Sequence, residues 1–306
     1  MAFTIRPRWI AAAMLVAGFA AALAVNWPGH LEFDSINQLA EGRFGSYSNW
    51  HPPIMSWLLG IADAISPGAA AFVAFDAAMA FGAILSLLWV VKRPTWPAVI
   101  AAAVVVVLPQ LFLFQAIVWK DILFADACVA GFVCLAHAAA RWESPRARFA
   151  WLGAATVFTA LAVLTRQNGF VILPCAATAL GWIAAPGWRR ALAYGAGFFA
   201  VTLVLVLGVN ALLQDNYATP LMGTPALSHP FFAVIGLVAL VLLLRRRRPA
   251  DLAMAGLLAA TMLYTLSYFV ISIACEYRYL FALDLSVIAA AFYLIADVTR
   301  RPAPSA

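Results

Sequence analysis

The sequence predicts an all-α polytopic membrane protein with about ten transmembrane helices and two short interfacial helices in its first outer loop. Of its 306 residues, 65% are hydrophobic and only 10% are charged. The mean hydropathy is +0.94, which excludes an ordinary soluble domain. The apolar residues lie in separate runs, most of which approach or exceed the roughly 17 residues that a span needs. We predict a single integral-membrane domain over residues 1–306.

Polar loops divide the apolar sequence into ten candidate spans, of which the eighth is the shortest. Their ranges are 9–25, 69–91, 96–114, 122–140, 149–165, 170–185, 191–213, 231–244, 252–273 and 280–296. The first run also resembles a signal peptide with a cleavage site at Ala22-Leu23-Ala24, but its length favours an uncleaved span. Two long outer loops are predicted, at 26–68 and 214–230.

The basic residues predict how the chain is oriented. If both termini are cytoplasmic, 15 of the 19 lysines and arginines fall on the inner side. Only Arg43, Lys120, Arg166 and Arg278 remain outside. This asymmetry follows the positive-inside rule, so the net charge of +6 reflects topology and does not indicate a nucleic-acid partner. The abundance of arginine and alanine favours a bacterium, and hence its inner membrane.

The first outer loop carries an acidic pair. Glu32 and Asp34 are two residues apart, so extended backbone would direct both side chains to one face. The next residues predict a short helix with Ser35 as N-cap, Gln38 in its first turn and Gly42 as its end. The acidic pair would therefore lie at the entrance to this helix.

A second short helix is predicted from His51-Pro52-Pro53 onward, because proline is tolerated in the first turn of a helix. It ends at Ser66-Pro67-Gly68 and is too short to cross a membrane comfortably. We expect it to lie in the outer interface.

Two residues inside the apolar runs have structural consequences. Asp76 lies well within the second span, where an ionised carboxylate costs at least about 2.5–3.5 kcal/mol, so it should face the bundle interior. Pro109 predicts a kink in the third span. The four cysteines show no CxxC or zinc-type spacing, and they predict neither a disulfide framework nor a metal site.

Ionisable residues from four separate loops fall on the predicted outer side. They are Glu32, Asp34, His51, Lys120, Asp121, Arg166, Glu276 and Arg278. Local explanations exist for some residues of these loops. Lys120 has Asp121 and Asp126 as candidate ion-pair partners. The pair Asn168-Gly169, which follows Arg166 in its loop, is typical of an ordinary turn. Acidic and basic residues gathered at the outer end of the helix bundle indicate a site for an anionic lipid head group. The basic residues would stabilise a departing phosphate.

These motifs resemble the GT-C superfamily of integral-membrane glycosyltransferases, in particular the bacterial enzymes that depend on polyprenyl-phosphate sugars. The resemblance rests on the Glu-x-Asp motif with Gln38, on His51-Pro52-Pro53, and on three later motifs. These later motifs are Trp119-Lys120-Asp121, Arg166-Gln167-Asn168-Gly169 and Glu276-Tyr277-Arg278-Tyr279.

The resemblance implies that Asp34 is the catalytic carboxylate and that the two short helices line the groove for a glycan or lipid acceptor. It also implies a polyprenyl-phosphate sugar as donor, which enters from the membrane lipids. Asp34 would be the general base, with Glu32 either orienting it or joining it in binding a divalent cation. Substrate-binding residues would be Gln38, His51, Lys120, Asp121, Arg166, Asn168, Glu276 and Arg278.

Structural alternatives accompany these roles. The alternative for Asp34 is a helix cap beside Ser35, and the alternative for His51 is a residue that only fixes a helix start. At the level of the whole protein, the alternatives are a transporter or flippase of a lipid-linked sugar and a non-catalytic subunit for envelope assembly. Transporters usually have polar groups near the middle of the membrane, where this sequence shows essentially only Asp76.

Overall fold

The computed structural model describes residues 6–48, 51–184 and 187–213. This part of the chain is helical, with one isolated backbone bridge and no regular strand. The helices are α1 (Pro7–Asn26), α2 (Phe33–Phe44), α3 (Pro53–Ile65), α4 (Ala70–Leu87), α5 (Trp96–Val107), α6 (Pro109–Phe112), α7 (Lys120–Ala140), α8 (Pro145–Thr165), α9 (Ile172–Ala184) and α10 (Trp188–Leu213). Short 3-10 helices occupy Phe114–Ala116 and Gln167–Val171.

Five of these helices, α1, α4, α7, α8 and α10, are long and apolar enough to cross a membrane. The all-α class is thus confirmed for the described part of the chain. The third predicted span is broken as Pro109 suggested, because α5 and the segment Pro109–Ala116 meet at an angle of 61°. The sixth predicted span contains α9, a helix of only 13 residues. The last three predicted spans and the loop 214–230 lie outside the described residues.

Two side chains tie helix ends together at opposite ends of the bundle. The Arg8 guanidinium donates to the carbonyls of Val91 and Lys92, at 2.9 and 2.8 Å, and so joins the start of α1 to the loop after α4. At the other end, Asn26 Nδ2 donates to the Phe112 carbonyl at 2.8 Å. The basic loops and the predicted outer loops therefore lie at different ends of α1.

Helix α7 forms the centre of the described bundle. It is the most buried of the five long helices and packs against α4 and α8. Its Ile122, Leu123 and Ala125 side chains are fully buried. A Cβ added at Gly131 would lie 3.0 Å from Thr159 Oγ1 on α8, so a small residue permits this close approach.

The bounds of α2 correct the prediction from sequence. The helix begins at Phe33, with Glu32 as its N-cap, and runs through Gly42 to Phe44. Ser35 occupies the third helical position, where its hydroxyl accepts from the Glu32 amide at 2.8 Å. The helix ends at Gly45, whose positive φ of 63° suits glycine. Gly42 has a packing role instead, described below.

Helix α3 begins at Pro53, as predicted, and packs against α2. The two helices cross where Gly42 meets Gly60, since a Cβ on Gly42 would lie 2.7 Å from the Gly60 nitrogen. Arg43 also forms two hydrogen bonds to Asp63, at 2.8 and 2.7 Å. These bonds, followed by one from the Gly68 amide, lower the pKa of Asp63 to about 2. The α2–α3 pair is therefore held by both close packing and charge.

Candidate functional site

A backbone bridge brings the acidic loop to the start of α7. The His30 amide donates to the Ala116 carbonyl at 2.8 Å, and the Val118 amide donates to the His30 carbonyl at 2.9 Å. Two hydrogen bonds in opposite directions fix the relative position of these segments. They place the first turn of α2 beside Lys120 and Asp121.

Asp34 lies in the first turn of α2, where the positive end of the helix dipole favours a carboxylate. Its side chain is 37% exposed, and Oδ1 is 3.9 Å from His51 Nε2. The expectation that Glu32 and Asp34 share one face of an extended strand is wrong, because Asp34 is already helical while Glu32 is the extended N-cap. Glu32 nevertheless remains close by and lines the same pocket.

His51 lies between Asp34 and Lys120. Its Nδ1 is 3.1 Å from Lys120 Nζ, so an ammonium at Lys120 would donate to Nδ1 and leave the ring proton on Nε2, facing Asp34. Burial, followed by the charge of Lys120, lowers the pKa of His51 from its ordinary value of 6.5, while Asp34 and Glu41 act in the opposite direction. The imidazole is therefore neutral at pH 7.

Asp121 and Arg166 form a salt bridge of 2.7 Å at the same end of the bundle. Their side chains are 7% and 17% exposed, so the pair is largely removed from water. The bridge joins the start of α7 to the residue that follows α8. It also fixes the Arg166 guanidinium beside Asp121, a residue of the pocket described next.

A small inner pocket lies under Asp34. Its lining consists of Glu32, Asp34, Gln38, Val118, Trp119, Lys120 and Asp121. Two N–H donors, Gln38 Nε2 and Trp119 Nε1, are buried with no hydrogen-bond partner among the described residues. Donors left unpaired in a buried site favour an acceptor-rich ligand such as a phosphate. The pocket volume is about 10 Å³, roughly one water molecule, so a phosphate group requires it to open.

A second, open pocket is also lined by Asp34; this pocket, called the outer groove, has a volume of about 640 Å³. Its lining consists of Phe33, Asp34, Asn37, Ala40, Glu41, Phe44, Ser46, Ser48 and His51. Phe33 and Phe44 are 78% and 82% exposed. Glu41 shapes one wall, because its carboxylate accepts from the Ser48 amide at 3.0 Å and from the Ser56 hydroxyl at 2.7 Å. Asp34 thus contributes to both the inner pocket and the outer groove.

The suggested divalent-cation site at Glu32 and Asp34 gains no support from the geometry. Across 6–48, 51–184 and 187–213, no group of three or more His, Cys, Asp or Glu side chains could hold a metal ion. Two carboxylates, one of them on an N-cap residue, supply too few ligands for a protein-built divalent site. We derive no step through a metal.

The remaining predicted site residues have different outcomes. Asn168 lies in the 3-10 helix Gln167–Val171, and Arg166 is the N-cap residue of that helix. Glu276 and Arg278 lie outside the described residues. Lys120, for which a local ion pair was considered, contacts His51, while the salt bridge of Asp121 is to Arg166.

Sequence reasoning missed several polar contacts. Trp119, which has no role of its own in the sequence analysis, lines the inner pocket. Asp76 is buried as expected, at 1% exposure, but it is hydrogen-bonded to Asp126, which is fully buried on α7. Gln115 completes this group by donating to Asp126 at 3.0 Å. The sequence did offer a signal for Asp126: like Asp76, it is an acidic residue inside an apolar run.

Comparison of the chain with protein-family models, curated proteins and solved structures finds no match.

Proposed function

We propose that this protein is a membrane glycosyltransferase that moves a sugar from a polyprenyl-phosphate donor to an envelope glycan or lipid acceptor. The single observation that carries the proposal is the position of Asp34, which lines both the small inner pocket and the open outer groove. A transfer reaction needs a base beside the incoming hydroxyl and fixed donors around the departing phosphate. In this proposal the site faces the periplasm of a bacterial inner membrane, with both termini cytoplasmic.

The inner pocket is suited to the donor phosphate. Gln38 and Trp119 offer N–H groups that lack partners among the described residues, and Lys120 adds a positive charge to the lining. Arg166 is held nearby by its salt bridge to Asp121. Donors and cations fixed in advance stabilise the charge that develops on a leaving phosphate.

The reaction follows from this arrangement. The acceptor oxygen attacks the anomeric carbon of the sugar, and the bond from that carbon to the phosphate oxygen breaks. The acceptor proton passes to the Asp34 carboxylate, while the electron pair leaves with the lipid phosphate. Because a single displacement occurs, the anomeric configuration is inverted.

The outer groove is suited to the acceptor. Exposed Phe33 and Phe44 contribute flat apolar faces to its lining, and Asn37 of α2 contributes an amide. Sugar rings present both apolar faces and hydroxyl edges, so aromatic and amide side chains can contact them together. The groove is open enough to admit a glycan chain.

The proposal is tested by incubating purified protein with radiolabelled polyprenyl-phosphate sugars and envelope extracts, with product detected by extraction and chromatography. We expect label in a new glycosidic product that depends on both protein and donor. Absence of transfer across a panel of such donors, with folded protein confirmed by a cooperative melt, would refute it.

Arg166→Lys is expected to weaken donor binding, because lysine keeps the charge but loses the planar guanidinium that Asp121 orients. Loss of a charged hydrogen bond, worth about 1.5–3 kcal/mol, predicts an increase in donor KM on the order of ten- to hundredfold. Steady-state kinetics with varied donor will measure it. An unchanged donor KM together with an unchanged kcat would remove Arg166 from the site.

Acidification is expected to reduce both activity and stability through His51. Its pKa is lowered on folding, so below pH 6.5 the unfolded chain binds the proton more readily than the folded chain does. Stability therefore falls as pH falls below 6.5, and the loss is complete below the folded pKa. Thermal melts and transfer rates between about pH 5 and pH 8 will show this, and His51→Gln should flatten both profiles.

A transporter or flippase of a lipid-linked sugar is the second candidate. The broken span Trp96–Ala116 and the buried Asp76–Asp126 pair favour it, since transporters place discontinuous helices and carboxylates inside the membrane. Proteoliposomes with labelled lipid-linked sugar separate the functions. Movement of the lipid without a new glycosidic bond supports transport, whereas neither activity supports the non-catalytic assembly subunit.

A further inference from the structure

We propose that Asp76, Asp126 and Gln115 form a binding site for a hard monovalent cation such as Na⁺, inside the bundle and separate from the Asp34 site. These three side chains come from α4, from α7 and from the 3-10 helix Phe114–Ala116. Their exposed fractions are 1%, 0% and 2%. Their interactions with one another and their unpaired oxygen atoms indicate the ligand.

The three side chains form a connected group. Gln115 Nε2 donates to Asp126 Oδ1 at 3.0 Å, and a side-chain hydrogen bond joins Asp126 to Asp76. Neither carboxyl group takes part in a salt bridge with another described residue. The charge of this group is therefore not balanced by any lysine or arginine within the described ranges.

Each member also has an oxygen that lacks a hydrogen-bond partner. Asp76 Oδ1, Asp126 Oδ2 and Gln115 Oε1 are all buried and unpaired among the described residues. Leaving buried polar atoms unpaired is costly, and three of them in one group indicate a shared ligand. Because all three atoms are oxygens, a hard cation is the matching ligand class.

The hydrogen bond between the carboxyl groups indicates the charge of that cation. An ionised carboxylate can only accept, so a bond between two carboxyl groups requires a proton on one of them. With the other carboxyl group ionised, the pair carries a net charge of −1, which one monovalent cation neutralises. A divalent cation would leave a positive charge in an apolar interior.

The backbone around Gln115 is consistent with such a site. The chain leaves α5 at Leu108, bends by 61° and reaches Gln115 in a short 3-10 helix. Broken helices at membrane depth are tolerated where they are buried in protein or line a site. A cation bound here would join α4, this broken segment and α7, the helix that begins with Lys120 and Asp121.

Thermal melts of the purified full-length protein test the site. Protein is prepared in choline chloride, and NaCl then replaces choline chloride at constant ionic strength. Ligand that binds only the folded state raises Tm, so we expect a saturable increase of several degrees with Na⁺. Asp76→Asn with Asp126→Asn should abolish the increase, and the exposed Glu143→Gln on the opposite loop should retain it.

A direct assay keeps the proposal falsifiable if the double variant does not fold. Wild-type protein should retain ²²Na⁺ that excess unlabelled Na⁺ displaces, and Gln115→Leu should weaken this retention at least severalfold. No saturable Na⁺ effect in either assay, or stabilisation by Mg²⁺ or Ca²⁺ alone, would overturn the proposal. Because neither readout involves sugar transfer, failure here is distinct from failure of the proposed enzyme activity.

Discussion

Replacing Asp34 by asparagine is expected to reduce sugar transfer by about 10²–10⁴-fold, the usual contribution of a positioned general base. Asparagine preserves the size of the side chain but cannot accept the acceptor proton. Asp34 also lies at a partly exposed position in the first turn of α2, so the fold should persist. The rate constant kcat should decrease far more than KM changes, because the proton moves only during the chemical step.

Initial rates with a radiolabelled polyprenyl-phosphate sugar will measure the Asp34→Asn effect. Glu143→Gln is the matched control, since it removes one carboxylate charge from an exposed loop at the opposite end of the bundle. The control should keep wild-type rates. Undiminished transfer by Asp34→Asn would remove Asp34 from its assigned role, and Glu41, which lines the same groove, would be examined next.

The second large effect is expected from Gly42→Ala, which should both destabilise the protein and abolish most activity. A methyl group at this position would meet the Ser56 carbonyl and lie 2.7 Å from the Gly60 nitrogen. The clashing atoms belong to the backbone of α3 and cannot relieve the clash by a change of rotamer, so α2 must move away from α3. Overpacking of this kind costs about 1–3 kcal/mol.

Separation of α2 from α3 would also displace Asp34 relative to His51, which directly precedes Pro52 and the start of α3. Activity should therefore fall at temperatures where the Gly42→Ala variant is still folded. Gly82→Ala is the matched control, since its added methyl group would have no neighbour within 4 Å. The control should be neutral or slightly stabilising, because alanine is the better helix former. Equal melts for both variants would contradict the close crossing.

The inner pocket is too small to hold a phosphate group in the structure described. A volume of about 10 Å³ admits a water molecule and excludes a phosphate group. Donor binding must therefore be accompanied by movement of Lys120, Trp119 or the first turn of α2.

Composition and hydropathy were sufficient to predict the class of this protein. The long apolar runs predicted α1, α4, α7, α8 and α10, because a helix that spans a membrane must be apolar along most of its length. Proline positions were equally informative: Pro53 begins α3 and Pro109 marks the break in the third span. Proline acts through its own backbone geometry, so its effect is visible without tertiary contacts.

The bounds of α2 were not predictable in the same way. Ser35 and Gly42 have typical capping chemistry, yet the helix extends beyond both of them. Gly42 is required by its contact with Gly60, and no local pattern in α2 reports the position of α3. Local propensity is a weak signal wherever a tertiary contact uses the same residue for another purpose.

The sequence by itself determined that acids and cations occur in several predicted outer loops and that Asp76 is buried. Only the tertiary structure decided the pairs: His51 with Lys120, Arg166 with Asp121, and Asp76 with Asp126. The physical reason is that pairing depends on distances between helices distant in the chain. Those distances follow from the packing of α7 against its neighbours and from the bridge at His30, which the sequence pattern does not encode locally.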